Sequence, residues 1–291
     1  MKTLTVFTPS YNRAYTLPRL YKSLCEQTCS DFCWLVVDDG STDNTKELID
    51  SYIDEGLVQI KYLRQENGGK QRAHNTGVGV CDTELFFCLD SDDRLRPESV
   101  EIILDTWKRY SGNAKVAGII GVCGISDSEP LGSWFPKGIE LSTMWDMYYK
   151  YGVKGDTAHI YRTDVLRQFP FRVEPDEKFV SETTVYHQID QHYVLAVIPE
   201  IISICEYMGD GYTRNARKVT RNNPKGYMRL KRLKFEMSTS PLLKLENMTL
   251  YLVGACLAHS VPDAVKSSPN RWLAALCLLP AFILSKTEFQ R

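Results

Sequence analysis

Four short apolar runs, each stopped abruptly by polar or acidic residues and each followed by a stretch of helical spacing, constrain this chain most. Residues 4–8 read as a buried strand, and apolar side chains then recur at 17, 20, 21 and 24, one face of a helix over 17–27. The alternation continues with a strand at 34–37, a helix at 42–52 entered through Ser and Asp capping chemistry, and a strand at 58–63. A helix at 70–80, a strand at 85–89, a helix at 97–110 with proline in its first turn and a strand at 116–124 follow. Such an order needs crossover connections, so the expectation is an α/β fold with a largely parallel sheet and helices on both faces. After residue 130 the pattern weakens, leaving a helix at 181–191, a late strand at 201–207 and helix from 224 onward. Trp134, Phe135, Trp145, Tyr148, Tyr149 and Tyr151 crowd the weaker stretch, as core packing or as the lining of a cleft.

A chain of 291 residues can bury a full core without staples. Its 35 Lys and Arg against 36 Asp and Glu argue against a globally basic nucleic-acid binder, so no nucleic-acid partner is expected. Nine cysteines, several inside apolar runs such as Leu85-Phe86-Phe87-Cys88-Leu89, suit free thiols in a reducing compartment. Cys25, Cys29 and Cys33 lack the CxxC spacing of a zinc site and read as structural. The first residues offer too short an apolar stretch for a secretion signal, and the expected location is the cytoplasm.

Ligands of an open parallel sheet bind outside the carboxyl ends of its strands. Asp38-Asp39 close the second strand there, Asp90-Ser91-Asp92-Asp93 close the fourth, and Pro9-Ser10-Tyr11-Asn12-Arg13 closes the first. Clustered carboxylates repel one another unless neutralised. A hard divalent ion suits them, since magnesium or manganese takes one or two carboxylates and completes its shell with phosphate and water. Taken alone, Asp90 to Asp93 also fit a plain strand end and helix cap. Neither the glycine-rich dinucleotide fingerprint nor the P-loop signature is present.

Thr8-Pro9-Ser10-Tyr11-Asn12-Arg13, Val37-Asp38-Asp39-Gly40-Ser41-Thr42-Asp43, Glu66-Asn67-Gly68-Gly69-Lys70 with Asn75, and Leu89-Asp90-Ser91-Asp92-Asp93 together resemble, in order and spacing, the family 2 glycosyltransferases of GT-A fold. The likeness is strong over 1–125 and weak over 126–235. It implies a Rossmann-like three-layer sandwich with a mostly parallel sheet and a C-terminal helical extension. The implied division is a catalytic domain at 1–210 (nucleotide half 1–125, acceptor half 126–210), a basic loop or linker at 211–235 and the extension at 236–291. The implied activity is metal-dependent, inverting transfer from a nucleoside-diphosphate sugar, UDP-sugar first, to a glycan or lipid-linked acceptor of a bacterial surface polysaccharide. By the same resemblance Pro9, Tyr11, Arg13 and Asp39 hold the nucleoside, with Asp39 facing a uracil N–H. Glu66 and Lys70 form the next wall, Asp90 and Ser91 lie by the ribose, Asp92 binds Mn2+ or Mg2+, and Asp93 serves catalysis near sugar or acceptor.

Transfer also needs a base for the acceptor hydroxyl. The family's Glu-Asp pair is matched by Glu182-Thr183, so Glu182 is the candidate, with Asp176 and Asp190 as alternatives and a mere first-turn dipole partner as the plain reading. His187, His192 and Asp156 are further residues near the expected cleft, more simply read as packing or surface groups. The missing Asp keeps open a non-catalytic sugar-nucleotide-binding assembly subunit. A nucleotidyltransferase stays as a third reading, although Ser10-Tyr11-Asn12-Arg13 lacks its glycine-rich, basic signature.

Nine basic residues and no acid fall between Gly211 and Phe235. They suit a loop closing over the diphosphate, attraction to an anionic membrane or lipid-linked acceptor, or a solvated face. Residues 272–284 form an uncharged run of 13, too short to span a bilayer and interrupted by Pro280. Two roles stay open for it: a helix lying peripherally on the inner face of the plasma membrane, or packing on the domain or on a second copy in a homo-oligomer.

Overall fold

The computed structural model describes residues 2–206 and 215–289. In chain order it runs β1 (Leu4–Ser10), α1 (Leu17–Cys25), β2 (Phe32–Asp38), α2 (Thr45–Glu55), β3 (Ile60–Arg64), α3 (Lys70–Val80), β4 (Leu85–Cys88), β5 (Arg94–Leu95), α4 (Ser99–Tyr110) and β6 (Val116–Gly124). There follow β7 (Leu141–Ser142), α5 (Met144–Tyr149), β8 (Thr157–Arg162), α6 (Thr163–Gln168), α7 (Thr183–Asp190) and β9 (Val194–Ile204). Five helices complete it: α8 (Ala216–Asn222), α9 (Pro224–Met237), α10 (Pro241–Leu257), α11 (Val261–Ser267) and α12 (Arg271–Thr287). Compactness divides the chain into one unit of Met1–Pro170 with Tyr186–Tyr207 and another of Phe171–Val185 with Met208–Arg291.

The first unit holds one sheet in the order β3-β2-β1-β4-β8-β6-β9-β5, with β7 also paired to β9. β1, β2, β3, β4, β6 and β9 share a direction, while β8, wedged between β4 and β6, and the short β5 and β7 run against it. The sheet is therefore mostly parallel, as expected, and the chain leaves Ser10, Asp38, Cys88, Gly124 and Ile204 on one edge. Trp34, Leu20, Leu24, Ile49, Phe87, Val100, Ile103 and Ile119 are among the side chains of its main core. The buried indole N–H of Trp34 donates to Thr8 Oγ1 at 3.0 Å, which satisfies the one polar atom that burial would strand. Helix α3 lies close on β1 because Gly77 has no side chain: a Cβ there would stand 2.6 Å from the Phe7 ring.

Two strands depart from the expectation. β8 went unpredicted: one short antiparallel strand carrying Thr157, His159 and Arg162 shows no continuous apolar run. β9 begins at Val194 instead of 201, because exposed Pro199 and Glu200 interrupt its buried pattern where the pairing with β6 shifts register.

The second unit has its own core of Phe235, Met248, Tyr251, Leu252, Val253, Ala264, Ala274, Cys277 and Ala281. The segment expected as a basic loop is helical where it is described, as α8 and α9; residues 212–214 of the expected closing loop lie outside the described residues. Lys and Arg are good helix formers, and carboxylates, most of them distant in sequence, neutralise several of them. Lys225 pairs with Asp176 at 2.7 Å, Arg217 with Glu288 at 2.5 Å, Arg232 with Glu236 at 2.9 Å, and Arg229 with Glu174. Buried Glu177 accepts the first-turn amides of α9, from Lys225 at 2.6 Å and Gly226 at 2.8 Å. That places a carboxylate on the helix's positive end.

Candidate active site

The loops after β1 and β2 are clipped together by short polar side chains. Asn12, in the left-handed region at φ 53, accepts the Thr42 amide at 2.7 Å on Oδ1, while its own amide donates to Ser41 Oγ at 2.9 Å. Asn tolerates that conformation better than most residues. Asp43 accepts the Ala14 amide at 3.1 Å and the Thr45 hydroxyl at 2.6 Å. Burial pushes the Asp43 carboxyl up, but these bonds with the Thr45 amide outweigh it and hold the group below the usual carboxylate range. Gly40, at φ 84, turns the chain where a side chain would be strained and pressed on Asn67.

Asp38 and Asp39 are buried and fully engaged. Asp38 takes the Ser41 amide at 2.7 Å and the Tyr62 hydroxyl at 2.6 Å. Asp39 accepts from Gln65 Nε2 at 2.7 Å and the Gly68 amide at 2.9 Å on Oδ1, and from the Gly69 amide at 2.7 Å and Asn67 Nδ2 at 3.2 Å on Oδ2. Those four bonds use the roughly four lone-pair sites of a carboxylate. Asp39 thus draws the 65–69 loop tight and sets the start of α3, where Lys70 stands.

The loop after β4 is the reverse case. Lys70 Nζ reaches both oxygens of Asp90, at 2.6 and 2.7 Å. Burial, then the charge of Asp90, raises the carboxyl of Asp92; burial, then Asp90 and Asp92, pushes that of Asp93 well above its ordinary value. Asp93 accepts the Glu206 amide at 3.2 Å, β5 pairs with Ser203 and Ile204 of β9, and Arg19 ties the Asp92 carbonyl to the Glu206 carboxylate. The loop is therefore held from both sides while its carboxylates remain in excess. Among the described residues no group of three or more His, Cys, Asp or Glu side chains is placed to hold a metal ion by itself. Hard oxygen donors, crowded and short of positive charge, nevertheless fit a divalent ion that takes its other ligands from a diphosphate.

Of the other expected residues, Pro9 and Ser91 lie in this edge, Tyr11 is half exposed and Arg13 meets the Tyr15 hydroxyl. Glu66 is exposed and stands between Gln65 and Asn67, whose side-chain amides bond Asp39. Glu182 is half-buried just ahead of α7. Asp190 is spent on structure: it accepts the amides of Met144 at 3.0 Å and Trp145 at 2.8 Å, and contacts His187 Nδ1 at 3.2 Å. Asp176 is in the ion pair with Lys225, whose hydrogen bond holds its carboxyl low. His192 is an exposed ring beside Phe169, and Asp156 is exposed ahead of β8.

Sequence reading missed Gln65, which with Asn67 of the 66–70 motif shapes the Asp39 loop, and Gln71, buried in the first turn of α3. Neither amide atom of Gln71 has a hydrogen-bond partner among the described residues, nor does buried Ser10 Oγ at the end of β1. Such groups call for a water or a ligand atom. A polar residue at the first turn of a helix facing a strand end was the available signal.

Residues 5–169 match Glycosyl transferase family 2, more than half of the chain, and the chain belongs to that family. It is similar to poly(ribitol-phosphate) beta-N-acetylglucosaminyltransferase TarP of Staphylococcus aureus (strain N315), 33% identical over 134 residues that make 45% of this chain and 40% of TarP. To chondroitin synthase of Escherichia coli it is 32% identical over 106 residues, 36% of this chain and 15% of that one. The match thus spans less than half the length of these relatives. Among solved structures, S. aureus TarS 1–349 in complex with UDP-GlcNAc superposes with a TM-score of 0.64 at 16% identity, covering 99% of this chain and 91% of the other. Mannosyltransferase PcManGT from Pyrobaculum calidifontis, in complex with GDP-Man and Mn2+, gives 0.56 at 16% identity, covering 99% and 81%. At such identities the likeness concerns the fold, which is of GT-A type with C-terminal helices.

Proposed function

We propose that the chain moves a sugar from a UDP-sugar to a hydroxyl of a glycan or lipid-linked acceptor in cell-surface polysaccharide synthesis. The observation that carries the reading is the crowded carboxylate cluster of Asp90, Asp92 and Asp93 on the sheet edge shared with Lys70 and the loop that Asp39 closes. The name of TarP and the UDP-GlcNAc held by TarS make UDP-GlcNAc the first donor to try. Asp92, with Asp90 beside it, would hold Mn2+ or Mg2+, which when bound supplies Lewis-acid stabilisation of the departing diphosphate. Pro9, Tyr11 and Arg13 would flank the nucleoside, and a uracil N–H reaching Asp39 would share an oxygen already occupied. The Lys70 ammonium adds positive charge beside the phosphates, and Asp93 accepts from a sugar hydroxyl. Glu182 takes the proton of the acceptor hydroxyl as its oxygen bonds to the anomeric carbon and the bond to the diphosphate breaks, with inversion. Free thiols favour a cytoplasmic setting for this chemistry.

Thr183, standing where the family carries Asp, favours a second reading: a subunit that binds the donor without transferring it. A thermal-shift panel of nucleoside diphosphates and their sugars, with and without manganese, tests the pocket, since a selective ligand raises the melting temperature by mass action. No shift with any of them overturns the site. Glu182→Gln should lower turnover by about 10² to 10⁴ with donor binding kept, and a loss under about fivefold removes Glu182 as base. Donor binding without any donor hydrolysis by the unaltered protein selects the second reading.

A further inference from the structure

Helix α12 is built inside out. Its fully buried face is Ala274, Cys277, Ala281 and Ser285, all small, flanked by the partly buried Leu273, Leu278 and Leu284, whereas five of its large apolar residues face solvent. Trp272, Leu276 and Leu279 are 87%, 75% and 69% exposed, and Phe282 and Ile283 are exposed as well. Positions 272, 276, 279 and 283 follow one another at helical spacing, so they make a single stripe along the helix. A helix that only packed on its own unit would turn these residues inward. Exposed stripes of this kind mark a surface that something covers.

Charge says what covers it. No Asp or Glu lies between Arg271 and Thr287, and the stripe is bounded by Arg271 at one end and Lys286 at the other. Lys286 Nζ sits 5.7 Å from the Phe282 ring, which keeps a cation beside the apolar face. The near-neutral chain is also sharply divided. The unit containing α12 carries 16 Lys and Arg against 9 Asp and Glu, while the sheet unit carries 19 against 27. The internal ion pairs of the helical unit consume as many cations as anions and leave that excess in place. Two copies meeting through this stripe would bring two cationic units together, which opposes self-association there.

We propose that the exposed stripe of α12 lies flat on an anionic lipid surface. The apolar side chains enter the headgroup boundary, and the cationic excess supplies a salt-sensitive attraction. With 17 residues and an internal Pro280 the helix lies in the surface and does not span it; among the described residues no helix is long and apolar enough to cross a membrane.

Flotation of the full chain with vesicles of phosphatidylcholine, with and without phosphatidylglycerol, tests the proposal. Binding is expected on the anionic vesicles at about 0.05 M salt and should weaken several-fold near 0.5 M, where screening is short-ranged. The double variant Leu276→Asp with Leu279→Asp should lower the partition coefficient at least tenfold. Both residues are exposed, so its melting temperature should hold, and a charge-neutral pair, Leu276→Ser with Leu279→Ser, gives an intermediate loss if folding and charge are not the cause. Absence of binding to anionic vesicles at low salt overturns the proposal, as does binding that the double variant leaves unchanged. Concentration-dependent association in sedimentation that the variant abolishes, with no vesicle binding, assigns the stripe to a second copy instead.

Discussion

Asp39 and Asp93 close parallel strands on one sheet edge, yet their surroundings are opposite. Asp39 accepts four hydrogen bonds from its own fold. Asp93 takes one backbone amide and stands, partly desolvated, against Asp90 and Asp92. The difference separates a strand-end acid spent on folding from one that folding leaves without compensation. At β2 every lone pair is consumed in shaping a loop. At β4 folding leaves repulsion behind, and only an added positive charge removes it.

The sharpest test is Asp92→Asn. Transfer should fall by about 10² to 10³ or more, as when a major source of transition-state charge stabilisation is removed, while the melting temperature of the metal-free protein stays level or rises because a repelled charge is gone. Near-normal turnover in EDTA would break the contrast at this end. Asp39→Ala should do the opposite, leaving the buried Gly69 amide unpaired at about 1–3 kcal/mol and the half-buried Gly68 amide unpaired at less. A lowered urea midpoint together with weaker UDP binding by calorimetry is expected, and an unchanged midpoint would show that the loop does not depend on Asp39.

The smallest effect separates the loops by pH. Asp43, with its carboxyl held low, contributes stability above its unfolded pKa that is lost as pH falls through the folded value. Asp93, with its carboxyl raised, contributes stability that is present below its unfolded pKa and lost as pH rises through the folded value. In EDTA, Asp43→Asn should therefore cost melting temperature at neutral pH and little in acid, whereas Asp93→Asn should raise it at neutral pH and little in acid. Parallel curves for the two variants would erase the distinction.

The parallel half of the fold was legible because its strands are mostly apolar runs stopped by polar or, at β2 and β4, acidic residues, and α3 and β6 fall at the expected residues, Lys70–Val80 and Val116–Gly124. Antiparallel β8 was not, since its polar residues break the run and its partners β4 and β6 are distant in sequence. Sequence proximity also misled in the basic segment: Glu174 and Asp176, which pair with Arg229 and Lys225, lie some fifty positions upstream. In the candidate site the acids themselves could be named from strand ends. The contacts they make were not legible, because the loop of residues 65–69 meets Asp39 only through where the turn at Gly40 brings it.

Arg19 sits in α1, far along the chain from the carboxylate loop, and it grips that loop by the Asp92 carbonyl and the segment after β9 by the Glu206 carboxylate. With the two-residue ladder of β5 it holds the carboxylate loop against the end of β9. Two stretches of chain that are more than a hundred residues apart thus share one guanidinium as their common anchor.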